Sequence, residues 1–359
     1  MRESYAYKIM QIDSYFYNNP GAIPTILQKI PDEPRIPIKN FLLDLICEMD
    51  GKMKSIYMKN ASDIIKEIWH EIINNNWREL NVRKLIPNKL NITGSLFYAY
   101  KNGRKNISVR TMFNLIKLWQ KLCNKKDKEV IDKWNEIFDM KLLLSTHSKC
   151  QKTSLPRHIN PKLSYLLGWI CGDGNLQEGG NHYTLKISEK SKKQLEIILK
   201  PLFIELFEVD PPIFIRNGNS YAIQIGSKII FRFFKNVMEI RVGQIPPIIN
   251  DFDLTNKKYF LIGLFDAEGY VNPKYSDSVI IISQSNKKFL EKVIYLFNEI
   301  KINFIGPHKH KTDLGIWYTI EIRRKIEILK YVQNMGSFHV EKSKKLQQLV
   351  NKIEKKWHS

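Results

Sequence analysis

Leu166-Leu167-Gly168-Trp169-Ile170-Cys171-Gly172-Asp173-Gly174 is the stretch that decides the fold, and Leu261-Ile262-Gly263-Leu264-Phe265-Asp266-Ala267-Glu268-Gly269 repeats its pattern. Each is an apolar, helix-length run with a small residue at every fourth position, and each ends in an acid followed by glycine. Small residues at this spacing share one helix face and let two helix backbones approach closely. If the two runs pack against each other, Asp173 and Glu268 lie side by side at the same end. This arrangement predicts a divalent-metal site.

The similarity between the two stretches extends along the chain. A step of 95 positions takes Asp173 to Glu268 and also takes Ile187-Ser188-Glu189 to Ile282-Ser283-Gln284. Further on the step is 97 positions, so that Tyr221-Ala222-Ile223-Gln224-Ile225 corresponds to Tyr318-Thr319-Ile320-Glu321-Ile322. Several matched blocks in the same order indicate a duplicated unit of about 95 residues, a pseudo-dimer within one chain.

Each unit is predicted to run helix, strands, helix, strands, helix. The segment from Tyr183 to Ser188 alternates apolar and polar residues, as a half-buried strand does. Helices are expected at about 192–207 and 287–300, and a hairpin is expected around Asn217-Gly218, a pair suited to a tight turn. The strands thus offer an apolar face to a core and a polar or basic face to a solvated partner.

The composition of the chain limits its partners. It has 359 residues, enough for two domains or more, and a formal net charge of +21. This excess of Lys and Arg favours nucleic acid or an anionic membrane as partner. No apolar run is long enough to span a membrane, and no signal peptide follows Met1. The cysteines lack metal-binding spacing, so we expect reduced thiols and a cytoplasmic, nucleoid-associated protein.

The two stretches resemble the LAGLIDADG motif of homing endonucleases, and the resemblance extends over about residues 156 to 350. The lead-in Asn160-Pro161-Lys162-Leu163 is similar to that of archaeal members. The resemblance implies an α+β fold, in which two pseudo-symmetric αββαββα halves join through their motif helices and form a saddle over DNA. It also implies a monomer that reads a long site in double-stranded DNA, with a divalent metal at the last acid of each motif.

By this resemblance, Asp173 and Glu268 are the metal-binding acids, together with the preceding Gly172 and Ala267. The chemistry agrees, because phosphodiester hydrolysis needs an activated water and neutralised charge, and Mg²⁺ prefers carboxylate, water and phosphate oxygens. We expect Mg²⁺, with Mn²⁺ as a possible substitute. Asp266 lies two positions before Glu268, on another helix face, and is expected to have a structural role.

Family members also place a polar residue, usually Gln, near each acid, and a basic residue, usually Lys, after the last strand and a short helix. Gln284 and Lys342 fit these places in the second half. In the first half, Glu189 stands in the place of Gln, and Arg241 is the nearest substitute for Lys. Because arginine is harder to deprotonate than lysine, we expect the Asp173 half to cut its DNA strand more slowly.

The first 150 residues contain no LAGLIDADG-like stretch. Residues 1–80 have helix-like apolar spacing, and residues 81–150 include a pattern typical of a repressor-type helix-turn-helix, with a turn near Thr93 and a capped helix beginning near Ser108. We therefore expect an all-α N-terminal region. A plain helical linker domain with a basic surface is the alternative.

Contacts with DNA are expected from basic and polar side chains on the strands, the loops and the helix-turn-helix. They are Lys186, Arg216, Gln224 and Lys228 in the first half, Lys309, Lys311, Arg323 and Lys325 in the second half, and Lys101 and Arg104 on or just after the helix that enters the groove.

Together these features predict a monomeric, site-specific DNA endonuclease. Its parts are a helical region at 1–80, a helix-turn-helix-like region at 81–150, and an endonuclease domain at 151–359 with halves at about 156–250 and 251–359. Because the chain ends without the His-Asn of an intein, an intron-encoded, free-standing or intein-derived enzyme is expected. The alternatives are a non-cleaving DNA-binding regulator on the same scaffold, which two intact motif acids disfavour, and an RNA splicing maturase.

Overall fold

Helices and antiparallel sheets make up the computed structural model, which describes residues 57–75, 79–139, 144–145, 153–179, 182–216, 220–241, 243–273, 279–313 and 315–358. The predicted α+β fold is confirmed. The helical pattern of residues 1–56 and the turn at Asn217-Gly218 lie outside the described residues.

The N-terminal region consists of helices with a small sheet between them. In chain order its elements are β1 (Tyr57–Met58), α1 (Ser62–Asn74), α2 (Glu79–Leu90), α3 (Gly94–Lys101), β2 (Ile107–Ser108), α4 (Val109–Leu122), α5 (Asp127–Asp139) and β3 (Leu144–Ser145). The side chains of Thr93 and Ser108 accept backbone N–H groups and cap α3 and α4, at the places that the sequence predicts. The region is not all-α, because β1 pairs with both β2 and β3 and buries Met58 and Ile107.

The first half of the repeat has the predicted order of elements. These are α6 (Pro161–Asp173), β4 (Gly174–Gly179), β5 (His182–Glu189), α7 (Lys192–Gln194), α8 (Lys200–Phe207), β6 (Ile213–Arg216), β7 (Ser220–Gly226) and α9 (Lys228–Arg232). A π-helical turn (Leu195–Leu199) joins α7 to α8, and a second π-helical turn (Phe233–Val237) follows α9. The strands form one antiparallel sheet in the order β4-β5-β7-β6. A short 3₁₀ helix (Pro247–Asp251) leads to the second half.

The second half repeats the same path. Its elements are α10 (Leu254–Glu268), β8 (Gly269–Asn272), β9 (Val279–Gln284), α11 (Lys287–Glu299), β10 (Ile305–Thr312), β11 (Gly315–Ile322), α12 (Lys325–Asn334) and the additional helix α13 (Val340–His358). Its sheet has the order β10-β11-β9-β8, which is the topology of the first sheet. The duplicated unit predicted from the sequence is thus a duplicated fold.

The two motif helices, α6 and α10, pack with almost no space between their backbones. A Cβ atom on Gly168 would lie 2.1 Å from the carbonyl oxygen of Phe260, and one on Gly263 would lie 2.0 Å from that of Tyr165. Only glycine fits at these two positions, because the obstacle is backbone rather than a movable side chain. The helices therefore hold the ends of both motifs in one place.

Each sheet buries one face and leaves the other open. The buried face carries Leu185, Ile187, Ile223 and Ile225 in the first half and Ile280, Ile282, Ile320 and Ile322 in the second. The pairing register places the polar residues between them on the outer face, as the period-2 pattern predicts.

Two ion pairs repeat across the halves and show the duplication at the level of side chains. Lys162 in α6 contacts Glu205 in α8, and Lys257 in α10 lies 3.1 Å from Glu299 in α11. In both pairs the lysine is largely buried, so the pair ties the motif helix to the helix that covers the same half.

Candidate active site

The two motif acids end their helices side by side. Asp173 is the last residue of α6, Glu268 is the last residue of α10, and the glycine after each begins a strand. A Cβ atom on Gly172 would lie 2.9 Å from Glu268 Cγ and 3.7 Å from its Oε1. Gly172 therefore leaves the space that the Glu268 side chain occupies next to Asp173.

The surroundings of both acids favour their neutral forms when no cation is present. Protein atoms surround the Asp173 carboxyl although part of it faces solvent, and this loss of hydration raises its pKa to about 6. Partial burial and the neighbouring Asp173 raise the pKa of Glu268 to about 7. A cation bound between the two carboxyl groups would favour their ionised forms.

A lysine from the C-terminal helix reaches this junction. The Lys342 Nζ donates to the carbonyl oxygens of Phe265, Asp266 and Ala267 at 3.1, 2.6 and 3.0 Å, at the C-terminal end of α10. Burial lowers the pKa of Lys342, while Asp266 and Asp173 act in the opposite direction. The Lys342 charge lowers the pKa of both motif acids, so this lysine acts on the two halves and not on the second alone.

The positions of Gln284 and Glu189 are equivalent in the two sheets, but their contacts differ. Gln284 ends β9 opposite Tyr318, and Glu189 ends β5 opposite Tyr221. The amide Nε2 of Gln284 donates to Glu268 Oε1 at 2.6 Å. Glu189 instead accepts from the backbone N–H of Ser191 at 2.9 Å and lies 3.5 Å from the Nε2 atom of His339.

Asp266 has the structural role expected from its helix face. Its fully buried carboxylate accepts from the Tyr165 hydroxyl at 2.7 Å and the backbone N–H of Phe338 at 2.9 Å, and it also contacts the Ser337 hydroxyl. Asp266 therefore joins three elements: its own helix, the first motif helix, and the segment 337–339 that precedes α13. Its counterpart 95 positions earlier is Cys171, and the counterpart of Tyr165 is Phe260, so this polar network exists on one side of the pseudo-symmetric interface.

His339 is the residue at this junction that sequence reasoning missed. It is buried and stacks on the Trp169 indole, with ring centroids 6.4 Å apart. The next residue, Val340, donates its N–H to the side chain of Gln194 in α7. No spacing rule signals these contacts, because they join residues about 150 positions apart that meet only when α13 docks on the first half.

Arg241, the predicted substitute for Lys in the first half, is exposed in the loop after α9. The charges that act on Asp173 come from Lys342, Glu189 and His339. The structure thus does not bring Arg241 to the acids, and Lys342 stands in the place that the sequence analysis gave to it.

Three of the predicted DNA-contacting residues share the outer face of the first sheet. Lys186 pairs with Gln224 across β5 and β7, and Arg216 at the end of β6 donates to the Ser188 hydroxyl at 2.9 Å. Lys228 lies elsewhere: it begins α9, on the helix side of the sheet, and its ammonium is 5.3 Å from the centre of the buried Tyr183 ring.

The second sheet arranges its predicted contacts differently. Lys309 and Lys311 are exposed on β10, but they pair with Tyr318 and Ile316 and so stand on the opposite face from His308 and His310. The Arg323 guanidinium donates two hydrogen bonds to the Glu321 carboxylate, at 2.7 and 2.8 Å. Lys325 is exposed at the first turn of α12.

The two residues of the N-terminal region that were predicted to contact DNA, Lys101 and Arg104, have different surroundings. Arg104 is exposed after α3, as a DNA contact requires. The Lys101 ammonium packs 4.5 Å from the centre of the Trp69 ring and 5.0 Å from that of Tyr98, and burial lowers its pKa. Lys101 therefore points back onto α1 and away from the surface that would face a groove.

The donor set at the two acids fits a hard divalent cation. The junction offers two carboxylates, those of Asp173 and Glu268. Among the described residues, no group of three or more His, Cys, Asp or Glu side chains is arranged to hold a metal ion. A few carboxylates completed by water and phosphate oxygens are the surroundings that Mg²⁺ prefers. No helix among the described residues is long and apolar enough to cross a bilayer.

A family comparison agrees with this geometry. Residues 255–336, which span α10 through α12 of the second half, match the model of the LAGLIDADG-like domain. The match confirms the resemblance that the motifs predict. It ends before His339 and Lys342, which lie in the C-terminal segment beyond it.

Three solved structures, two of I-DmoI and one of DUF199/WhiA, are similar to this chain. Mesophilic variants of the homing endonuclease I-DmoI are 26% identical, with a TM-score of 0.39 and coverage of 49% of this chain and 96% of theirs. I-DmoI in complex with DNA and Mn is 27% identical, with a TM-score of 0.39 and coverage of 50% and 97%. Full-length DUF199/WhiA from Thermatoga maritima is 19% identical, with a TM-score of 0.38 and coverage of 55% and 60%.

Proposed function

We propose that this protein is a site-specific double-strand DNA endonuclease that hydrolyses phosphodiester bonds with divalent metal at Asp173 and Glu268. The observation that carries the proposal is the pair of carboxyl groups at the junction of two sheets, with pKa values raised to about 6 and about 7. A purely structural role would not favour acids at the C-terminal ends of two helices, where they oppose the helix dipole.

The residues around the acids divide the work of the reaction. Asp173, Glu268 and the carbonyl group of Gly172 would hold Mg²⁺ or Mn²⁺, which would neutralise charge on the phosphate and favour the hydroxide form of water. The Ala267 carbonyl, which the sequence also offers as a ligand, already accepts from Lys342. Gln284 orients Glu268 through its amide. Lys342, held by three carbonyl groups, places a positive charge near both scissile positions and stabilises the negative charge that develops during hydrolysis.

The surfaces proposed to hold DNA follow from the same geometry. The outer face of the first sheet presents Lys186, Arg216 and Gln224, which suits a duplex with phosphates at its rim and base edges in its groove. On the second half, Lys309, Lys311 and Lys325 are exposed but lie off the outer face of the sheet, so we assign them to longer-range attraction of the phosphate backbone. We assign Lys228 and Lys101 to packing instead, since both ammonium groups lie over aromatic rings.

The arrangement of regions is proposed together with the activity. Residues 151–359 form the nuclease, which acts as a monomer because both acids belong to one chain. The helical regions at 1–80 and 81–150 add DNA contacts through the exposed side of the helix-turn-helix-like segment, with Arg104 among them.

Conservative replacement of the acids tests the proposal. The variants Asp173→Asn and Glu268→Gln should each abolish double-strand cleavage, while DNA binding stays within about tenfold, because the basic surfaces remain. The substrate is a library of duplex DNA with Mg²⁺, read by sequencing of cut ends. Glu196→Gln is the matched control, since it removes an exposed carboxylate from the helical side of the first half.

Three results would contradict the proposal. Full cutting by the doubly substituted protein would show that the acids are not the active site. Tight DNA binding by the unmodified protein, without cleavage under any divalent metal, would identify a DNA-binding regulator instead. Preference for a structured RNA over duplex DNA would identify a splicing maturase.

A further inference from the structure

We infer that His339 is a positioning residue that holds the Glu189 carboxylate away from Asp173, so that the first half works with a charged residue where the second half has Gln284. The inference rests on the proposed nuclease function. It begins from the equivalence of Glu189 and Gln284, which end corresponding strands opposite corresponding tyrosines.

A carboxylate at this position is a difficulty for the site. In the second half the neutral amide of Gln284 donates to Glu268, and this bond leaves the net charge of that site unchanged. A carboxylate at Glu189 cannot donate when ionised, and its charge raises the pKa of Asp173. Left without a partner, it would repel a phosphate group bound next to Asp173.

The hydrogen bonds of His339 fix which of its nitrogen atoms faces Glu189. Nδ1 accepts the backbone N–H of Glu341 at 3.2 Å, so the ring proton is on Nε2. Nε2 lies 3.5 Å from Glu189 Oε2, and the other oxygen of Glu189 accepts from Ser191 at 2.9 Å. Both carboxylate oxygens of Glu189 thus face donors of other residues, Oε1 the Ser191 N–H and Oε2 the His339 ring.

The charge of Glu189 responds to these donors. Burial alone would raise its pKa, but the His339 side chain and the Ser191 N–H hold it below the ordinary value. At Asp173 the effects of the pair oppose each other, because Glu189 raises the pKa of Asp173 and His339 lowers it. Because the imidazole is neutral in this arrangement, the pair keeps the one negative charge of Glu189, and the contacts with His339 and Ser191 stabilise that charge on the Glu189 side chain.

The imidazole ring of His339 and the backbone next to it are both held in place. Its ring stacks on Trp169 of α6, whose indole donates to the Tyr165 hydroxyl at 2.8 Å, and that hydroxyl donates to Asp266. The backbone on each side of His339 is fixed as well, through Phe338 to Asp266 and through Val340 to Gln194. The second half thus supplies, from outside its own sheet, a residue that completes the site of the first half.

The test is a double-mutant cycle read strand by strand. His339→Phe keeps an aromatic ring over Trp169 but removes both nitrogen atoms. On a duplex labelled separately on each strand, this variant should cut the strand served by Asp173 about tenfold more slowly, a loss of about 1.4 kcal/mol of transition-state stabilisation. Cutting of the other strand should change by less than about twofold.

The second substitution separates positioning from folding. Adding Glu189→Gln to His339→Phe should restore the rate on the Asp173 strand, because a neutral amide no longer needs the imidazole. Equal loss on both strands, or no recovery in the double variant, would overturn the inference. His339→Gln, which can still donate to Glu189, should retain most of the rate.

A measurement without catalysis distinguishes this inference from the proposed function. In metal-free protein, carbon NMR of the Glu189 carboxyl should show its pKa rise by about one unit or more in His339→Phe. An unchanged Glu189 pKa overturns the inference even if the enzyme cuts DNA. If the unmodified protein cuts no DNA at all, the proposed function fails, whereas a raised Glu189 pKa would still establish the contact.

Discussion

At the scale of single residues, the site shows how the same position acquires different chemistry in two copies of one fold. Gln284 and Glu189 occupy equivalent places, yet one donates to a motif acid and the other turns to His339. Asp266 and Cys171 are likewise equivalent, and one anchors a polar network where the other is a buried thiol. The backbone kept its symmetry after duplication, while the buried side chains diverged in pairs that satisfy each other.

The raised pKa values of Asp173 and Glu268 predict how stability depends on pH. Because both pKa values exceed those of an unfolded chain, the folded protein binds protons more tightly, and ionisation of these acids lowers stability as pH rises from about 4 to about 7. In metal-free buffer at pH 8, the doubly substituted Asp173→Asn, Glu268→Gln protein should melt higher than the unmodified one, by about 2 °C or more.

This difference in melting temperature should shrink as pH falls and become constant below about pH 3, where both acids are protonated in the folded and in the unfolded state. Added Mg²⁺ should stabilise the unmodified protein and not the double variant. Calorimetry across this pH range, with and without Mg²⁺, provides the measurement. A double variant that melts lower at pH 8 would contradict the raised pKa values.

At the scale of secondary-structure elements, the motif helices dominate the architecture. Their glycines permit a contact that no other residue allows, and this contact places Asp173 and Glu268, the last residues of the two helices, next to each other. The pattern of glycines and apolar residues is local in the sequence, so the helices, the strands with their polar faces, and the pairing of Asp173 with Glu268 could all be predicted from it.

The rest of the site depends on contacts that no local pattern contains. The roles of His339 and Trp169 follow from the docking of α13 against the first half, which joins distant parts of the chain. Lys101 and Lys228 look like surface cations in the sequence, but each has an aromatic ring nearby in space that the sequence does not reveal. Arg241 was assigned by analogy between the halves, and the chain after α9 takes a different path from the chain after α12.

Substitution of a motif-helix glycine tests the close packing of these elements. Gly168→Ala should destabilise the protein by about 2 kcal/mol or more, because its Cβ atom would overlap a carbonyl oxygen of α10. The loss should appear even though alanine favours an isolated helix by about 1 kcal/mol relative to glycine. Urea unfolding followed by circular dichroism measures the change.

The control for this substitution is Gly226→Ala in the same half. A Cβ atom there meets no atom within 4 Å, so stability should change by less than about 0.5 kcal/mol. Equal effects of the two substitutions would mean that the motif helices are less closely packed than the distances indicate.

At the scale of the whole molecule, the elements of the N-terminal region precede those of the duplicated unit along the chain. In the N-terminal region α1 packs on α3 and α4, and α2 packs on the same two helices. The two halves of the repeat share their core through α6 and α10, and α13 adds contacts to both. We therefore expect residues 151–359, which contain the duplicated unit, to fold without the N-terminal region.

Removal of residues 1–150 should leave a folded, metal-dependent nuclease that binds DNA more weakly. Because each lost phosphate contact lowers the log–log slope of affinity against salt by about 0.9, the slope should also decrease. Binding measured by fluorescence anisotropy over a range of salt concentrations gives both quantities. An insoluble fragment, or one with unchanged affinity and slope, would show that the N-terminal region is not a separate DNA-binding module.

The Asp266 network, which exists on one side of an otherwise two-fold interface, gives the molecule a direction. Two identical subunits can select only a target that looks the same when rotated by half a turn, whereas the two halves of this chain differ, because the segment 337–339 bonds to Asp266 of the second half and the first half has Cys171 at that position. On the proposed function, such a protein can recognise a target with a defined orientation. The two half-sites of the DNA target can then change in sequence independently. A base change in one half-site requires a compensating substitution in only one half of the protein.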